Sequence, residues 1–364
     1  MFLTVLLYVF IAVIFIEIIF FCTAALSFRT VSNQPETSNA AVSLVLYSKN
    51  QAKHIKTQLP KFFKQNHQNF EIVLINHAST DESLEVMKKF QNKYTALKII
   101  DVKNNEAFWA SKKYALTLGI KAAAHNQLVL SSIDFEPQST SWLQYMAADA
   151  NKKQMVFGYV KHLNHNYFCR FFDFFRTIKI YTLGKKGLYY SGASANVSYT
   201  KELFFSSNGF VKHMELPFGE TTLFANEVAK RSNTAFSLHK DKFITSVKAP
   251  SFEKWFREHA KINLILRYCK STAQISNVLL YLCHFLFYAL ATTLLVFGAI
   301  NQKTLLISLI GLRFSVQYIC YGFIAKKLNE LKLIIVLPIF EVFQLILQFI
   351  IFISSLISKR LYWN

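Results

Sequence analysis

Apolar sequence brackets this chain and decides what the rest of it can be. Residues 2–26 are almost wholly apolar, interrupted by Glu17, and three further apolar runs close the chain at about 277–300, 304–325 and 333–357. A helix of about 20 apolar residues spans the hydrocarbon core of a bilayer, so each run is long enough to cross. A secretory signal would carry basic residues ahead of a shorter apolar core. Nothing basic precedes the first run, which therefore reads as an uncleaved membrane helix. Glu17, Arg313 and Glu341 lie inside these runs. Charged residues in such places pair with each other, line a polar groove, snorkel or face a bundle interior, and the sequence alone leaves these open.

The net charge is +20, from 41 basic and 21 acidic residues. That balance suits anionic lipid, a phosphate-bearing substrate or nucleic acid. The spans favour the first two, and no zinc-finger, homeodomain or RRM pattern occurs, so nucleic acid is not expected as a partner. Arg257, Lys261, Arg267 and Lys270 precede the 277 run, and Lys326–Lys332 is a basic loop. Basic juxtamembrane segments face the cytoplasm. The expectation is a multi-pass cell-membrane protein with a cytoplasmic polar domain and both termini outside. Lys359 and Arg360 suit that topology poorly, which leaves the last helix open. The five cysteines are scattered and form no Cys-x-x-Cys pair, which argues against a disulfide framework or zinc site and for a reducing compartment.

Between the spans, Thr30–Ala40 is polar, carries Pro35 and reads as a linker. Strands are expected at 41–47, 70–75, 97–101 and 128–131, and helices at about 51–64, behind Ser79, and at 111–124. Ser79 and Glu82 have the spacing of a capping box, ahead of a helix with Leu84, Met87 and Phe90 on one face. Tyr114, Ala115, Leu118 and Ala122 would form the apolar stripe of the 111–124 helix. Strands alternating with helices predict an α/β fold with a mainly parallel, doubly wound sheet. The fourth strand ends in Ser132 and Asp134, at the kind of edge where open α/β sheets bind ligands; an Asp there is either a turn cap or a metal ligand. Tyr167–Arg176 mixes aromatics with Arg and Asp and reads either as an amphipathic helix at a lipid surface or as a helix packed on the sheet.

Several local patterns occur together and in order. They are Leu44-Val-Leu-Tyr-Ser-Lys-Asn50, Asn76-His-Ala-Ser-Thr-Asp81, Lys112-Lys-Tyr-Ala-Leu-Thr-Leu-Gly119-Ile120 and Ser132-Ile-Asp134 with Trp142-Leu143. Further on come Gly192–Tyr199 with Phe204 and Gly209-Phe210, and Gly219-Glu-Thr-Thr-Leu-Phe224. This series resembles the membrane-anchored family 2 glycosyltransferases of GT-A fold. The resemblance implies a Rossmann-like, mainly parallel GT-A domain over 40–270. Residues 1–27 would form an N-terminal transmembrane helix, 28–39 a linker, and 276–358 three C-terminal transmembrane helices. It implies an inverting transfer from a nucleotide-sugar donor to a lipid-linked or cell-surface glycan acceptor beside membrane lipid. A divalent cation, Mg²⁺ or Mn²⁺, would serve as cofactor. Carried over residue by residue, Glu220 becomes the catalytic base and Asp134 the metal ligand. Asn50, Asn76, Lys112 and Ser132 fall on the donor side, and Asn196 and Trp255 on the acceptor side. Lys112 reads equally as a solvated helix lysine. The chain departs from the family where Asn76 replaces a base-contacting Asp, Ser132 the first Asp of Asp-x-Asp, Glu220 a catalytic Asp and Ala195 an Arg. The Gln-x-x-Arg-Trp element is blurred to Glu258-His-Ala-Lys261. These replacements raise a second expectation, a catalytically degenerate member acting as a binding or scaffold subunit of a glycan-assembly complex.

Overall fold

The computed structural model describes residues 2–29, 37–103, 111–163, 165–191, 195–298 and 300–357. Most of the linker, Gly192 of the acceptor-side pattern, and Lys359 and Arg360 lie outside the described residues. The chain forms two compact units. Of the described residues, one unit comprises those within Met1–Thr30, Tyr167–Tyr189 and Cys269–Lys359, and the other those within Val31–Asn166 and Tyr190–Tyr268.

The second unit is built on β1 (Val42–Ser48), β2 (Phe70–His77), β3 (Leu97–Val102), β4 (Gln127–Ser132), β5 (Phe135–Pro137), β6 (Met155–Gly158), β7 (Val160–Lys161), β8 (Val197–Thr200), β9 (Thr234–Ser237) and β10 (Ile244–Ser246). Seven strands form a sheet in the order β3-β2-β1-β4-β8-β6-β9, and β5-β10-β7 form a second, small one. β3, β2, β1 and β4 run parallel, β8 runs antiparallel to β4 and β6, and β9 is parallel to β6. The mainly parallel α/β architecture expected from the sequence is present, with one reversed strand. Successive residues of a strand point to opposite faces, and both faces are covered. Leu44, Leu46, Ile72 and Leu74 enter a core with Phe62 and Trp142. Val45, Val73 and Ile75 enter another with Ala115, Phe157 and Phe204. Burial on both faces explains why these strands read as continuous apolar runs.

Two local expectations are corrected. The helix after β2 is Ser83–Gln91, and Glu82 at its cap position makes no side-chain cap bond. Ser79 Oγ instead accepts from the Asn50 amide at 2.9 Å, while Asp81 accepts from the amides of Ser83 and Ala52. A carboxylate two residues from the helix start displaces the capping box, and the hydroxyl is drawn to the neighbouring turn. The buried face of that helix is Ser83, Val86 and Met87. The helix Lys112–Ala122 buries Lys113, Ala115, Leu116, Gly119 and Ile120, so that of the expected stripe Ala115 is buried while Tyr114 and Leu118 pack half-buried against the same core. Lys113 can be buried because its ammonium donates to the carbonyls of His213 and Leu216 at 2.5 and 2.6 Å. Burial still pushes it down to about 8.

The first unit contains the helices Phe2–Phe28, Tyr167–Lys185, Ser271–Phe297, Ile300–Leu328 and Leu337–Ile357. Among the described residues, four stretches are long and apolar enough to cross a membrane: Leu3–Phe28, Ser271–Phe297, Lys303–Leu328 and Leu337–Leu356. The aromatic helix Tyr167–Lys185 packs on the first and last of these. Phe28 and Tyr181 stack at 5.7 Å, and Arg170 pairs with Glu330 at 2.5 Å. The three charged interruptions meet inside the bundle. Arg313, fully buried, donates from Nε to Glu17 at 2.9 Å and from Nη1 and Nη2 to Glu341 at 2.8 and 2.9 Å. His284 lies 2.6 Å from Glu17 and 2.5 Å from Glu341, and Gln317 and the Tyr288 hydroxyl complete the set. None of the five cysteines is in a disulfide.

Candidate active site

The strand order gives the site its place. From β1 the chain moves outward to β2 and β3, then returns to β4 on the other side of β1. In an open α/β sheet such a reversal opens a crevice at the carboxyl ends of the strands. The residues that leave β1 and β4 at that edge are Tyr47 and Asn50 on one side and Ser132 and Asp134 on the other.

Asn50 sits in the left-handed region (φ 51°), which a short amide side chain tolerates. Its Oδ1 accepts from the Thr80 amide at 2.8 Å, so it joins the turns after β1 and β2. Asn76, the penultimate residue of β2, is 2% exposed. Its Nδ2 donates to Asp101 at 2.7 Å, while its Oδ1 is buried without a hydrogen-bond partner among the described residues. A buried unpaired acceptor is costly, and this one suits a donor such as a base N–H.

Tyr47 links the two sides. Its hydroxyl lies 2.7 Å from His77 Nδ1, its ring lies 5.1 Å under the Lys112 ammonium, and its carbonyl accepts from the Ile133 amide at 3.0 Å. Burial pushes its phenol up to about 12. Lys112 opens its helix behind Ser111, whose side chain caps it by accepting from the Tyr114 amide. A cation at a helix N-terminus opposes the helix dipole and gains from an anion nearby. That anion is Glu220, at 2.5 Å. Glu220 is itself the first residue of the helix Glu220–Val228, and Gly219 before it has φ 83°. A Cβ on Gly219 would also lie 2.8 Å from Ile265, so the turn that aims Glu220 needs glycine. Burial pushes the Glu220 carboxyl up, and the Lys112 ammonium outweighs it, holding the group below its ordinary value. Burial likewise acts to lower Lys112, and Glu220 holds it above the usual lysine range.

Asp134 lies between β4 and β5. Ser132 Oγ lies 2.5 Å from its Oδ1 and 3.1 Å from the Tyr47 carbonyl, and Lys248 Nζ lies 2.8 Å from its Oδ2. Burial raises its affinity for a proton, but Lys248 and then Ser132 outweigh that and hold it low. Both carboxylates are within electrostatic range of Tyr47 and of Lys112, so Glu220 and Asp134 share one charged cluster at the switch-point edge. The β5–β10 ladder carries Lys248 there. Ser246 pairs with Phe135, and the next amide, Val247, donates to the Asp134 carbonyl at 2.9 Å.

Residues 43–199 match the family described as glycosyl transferase family 2. Over these residues the chain is similar to the family 2 glycosyltransferases. No curated protein matches the chain by sequence. Among solved structures, the mannosyltransferase PcManGT from Pyrobaculum calidifontis, in complex with GDP-Man and Mn²⁺, superposes with a TM-score of 0.60 at 14% identity, over 98% of this chain and 100% of that one. TarS 1-349 from S. aureus in complex with UDP-GlcNAc gives a TM-score of 0.45 at 14% identity, covering 88% and 92%. The first likeness shows a shared GT-A fold.

Two residues of the family pattern are placed away from this charged cluster. Asn196 is fully buried. Its Nδ2 donates to the carbonyls of Tyr159 and Lys242, and its Oδ1 accepts from Trp142 Nε1 at 3.1 Å. It therefore clamps β8 to three neighbouring segments. Gly158 faces it so closely that an added Cβ would lie 2.3 Å from Asn196 Nδ2. Gly158→Ala is expected to lower stability by about 1–3 kcal/mol, read by chemical unfolding. Trp255 is buried in the helix Phe252–Leu266, with its ring 4.2 Å from that of His259.

The resemblance implies a divalent cation at this edge. Mg²⁺ and Mn²⁺ want several oxygens and no competing positive charge. Among the described residues of the cluster, one aspartate and one serine hydroxyl stand where the family has two carboxylates. Asp134 Oδ2 already meets an ammonium, and Glu220 meets another. This set fits a divalent cation poorly. Lys248 escaped sequence reasoning because its proximity to Asp134 depends on a ladder between residues more than 100 apart.

Proposed function

We propose that the chain is a membrane-anchored inverting glycosyltransferase. In this reading it moves a sugar from a nucleotide-sugar donor to a lipid-linked or cell-surface glycan acceptor at the cytoplasmic face of the cell membrane. The observation that carries it is the shared cluster of Glu220, Asp134, Lys112 and Tyr47 at the switch-point edge of a domain similar to the family 2 glycosyltransferases. The orphaned Asn76 Oδ1 supports a base site beside Asn50. Four apolar helices support the anchor, and the basic residues between Trp255 and Lys270 support its cytoplasmic side. Asn196 and Trp255 are assigned to supporting the acceptor side from within the core.

The reaction follows from the groups present. An acceptor hydroxyl attacks the anomeric carbon from the face opposite the diphosphate. The new C–O bond forms as the bond to the phosphate oxygen breaks, and the diphosphate leaves with that electron pair. The hydroxyl proton passes to a carboxylate oxygen of Glu220. Glu220 is ionised at neutral pH and so can accept it, but a base works best when its pKa is near the ambient pH. Lys112 moving from Glu220 towards the incoming diphosphate would raise the proton affinity of Glu220 at the moment it is needed. Purified protein in nanodiscs, offered UDP- and GDP-sugars, is expected to release UDP or GDP from at least one of them. Asp134→Ala is expected to lower that rate about a hundredfold, the cost of misplacing reacting groups by about an ångström. Wild-type release in that variant would remove Asp134 from the site.

A second reading has its own support, because both carboxylates are already paired with lysines. A scaffold subunit of that kind would bind nucleotide with no turnover of any donor in the same assay.

A further inference from the structure

We propose that Lys248, together with Lys112, neutralises the donor diphosphate in place of a divalent cation, so that nucleotide binding by this chain is independent of metal. The inference rests on the donor-binding reading above and goes beyond it, because nothing in the family pattern singles out Lys248.

The charge balance is the first observation. An Asp-x-Asp site with one divalent cation carries two negative and two positive charges. Ser132 removes one of the negatives, and Asp134 with Lys248 at 2.8 Å carries one of each. The net charge presented to a diphosphate is then the same with no ion bound. The second observation is that Lys248 is held by the backbone rather than drifting on the surface. The β5–β10 register and the Val247–Asp134 ladder bond fix it one residue beyond a paired position, and Ser246 Oγ donates to the Lys248 carbonyl at 3.2 Å. The third is reach. The Lys248 side chain is 45% exposed and that of Lys112 30%, so Lys248 can keep Asp134 as an anchor and still turn a donor towards a phosphate oxygen, while Lys112 turns from Glu220 to meet the same group. Ammonium groups bind phosphate as point charges with three donors. Two of them, one anchored from β10 and one from the helix after β3, would grip the diphosphate from either side of Tyr47.

The test is calorimetric titration of the full chain in nanodiscs with UDP and with GDP, in excess EDTA and in Mn²⁺, with uridine and guanosine as nucleoside probes. UDP or GDP is expected to bind in EDTA with an affinity within about threefold of that in Mn²⁺. Lys248→Met is expected to weaken that binding about tenfold or more, the scale of one charge-assisted contact. Binding of the nucleoside should stay unchanged, and Lys248→Arg should retain the diphosphate. Binding abolished by EDTA and restored by Mn²⁺ would overturn the inference and leave the donor reading standing. So would wild-type affinity in Lys248→Met. Absence of UDP and GDP binding under both conditions would overturn both. The EDTA comparison uses the unaltered chain, so the result does not depend on how a variant folds.

Discussion

Glu220→Gln is expected to lower the turnover of sugar transfer by about 10²–10⁴-fold, the range for loss of a positioned general base. The amide keeps the shape of the side chain at a position that is 7% exposed, so the fold is retained, but it cannot take the acceptor's proton. UDP or GDP binding, measured by calorimetry, is expected to persist, because Lys112 loses its carboxylate partner and is released towards the diphosphate. That split between retained binding and lost turnover distinguishes a base from a residue that only holds the helix start in place. Unchanged turnover in the glutamine variant would exclude Glu220 from the chemistry. Glu220→Asp restores the residue type of the family but withdraws the carboxylate by one methylene. A shift on the order of an ångström costs about a hundredfold, so this variant is expected to fall between the unaltered chain and the glutamine variant.

The second large effect lies in the helical unit. Arg313→Met leaves Glu17 and Glu341 facing each other across a buried site, with His284 as the remaining ionisable partner. Removing one member of a buried ion network costs about 3–5 kcal/mol. Unfolding of the purified chain in detergent, followed by near-UV fluorescence or SDS titration, is expected to shift accordingly. Replacing Glu17, Arg313 and Glu341 together with apolar residues of similar volume is expected to recover much of the loss, since the desolvation cost disappears with the charges. If the triple variant is as unstable as the single one, the network is not what sets the stability of the bundle. Arg313 also lies 4.4 to 5.1 Å from the ring centres of Phe287, Phe314 and Phe21, so methionine rather than alanine is the fair comparison.

What was legible in the sequence is what depends on short range. The strands at 42–48, 70–77 and 127–132 announce themselves as apolar runs because both faces of the sheet are covered there, while the edge strand at 97–102 keeps Lys98 and Asp101 exposed. Ser132 and Asp134 follow from where the fourth run stops, whereas Asn50 and Asn76 were singled out by the family resemblance. What was not legible depends on pairings between distant segments. Lys248 meets Asp134 only through the β5–β10 register. Ser79 failed as a capping residue because Asn50, from another turn, took its hydroxyl. The burial of Lys113 needs two carbonyls a hundred residues further on. In the helical unit, Arg313 and Glu341 stood out as charges in apolar runs, with pairing one of several readings. Tyr288, His284 and Gln317 did not stand out, because a polar residue in such a run reveals neither its face nor its neighbour.

The buried arginine also sets a timetable for biosynthesis. Glu17 and Arg313 are 296 residues apart. At about 5–20 residues per second, the ribosome takes on the order of 15–60 s to deliver the arginine after the glutamate. Through most of that interval the first helix, if already in the bilayer, holds an acidic residue in hydrocarbon with neither of its two later partners, His284 and Arg313, yet made, at a cost of about 2.5–3.5 kcal/mol. The other three long helices must therefore capture a helix that is waiting for them. A nascent chain stalled before residue 313 is a natural substrate for the membrane quality-control proteases. Pulse-labelling of such truncated chains should find them short-lived, and Glu17→Leu should lengthen their lifetime.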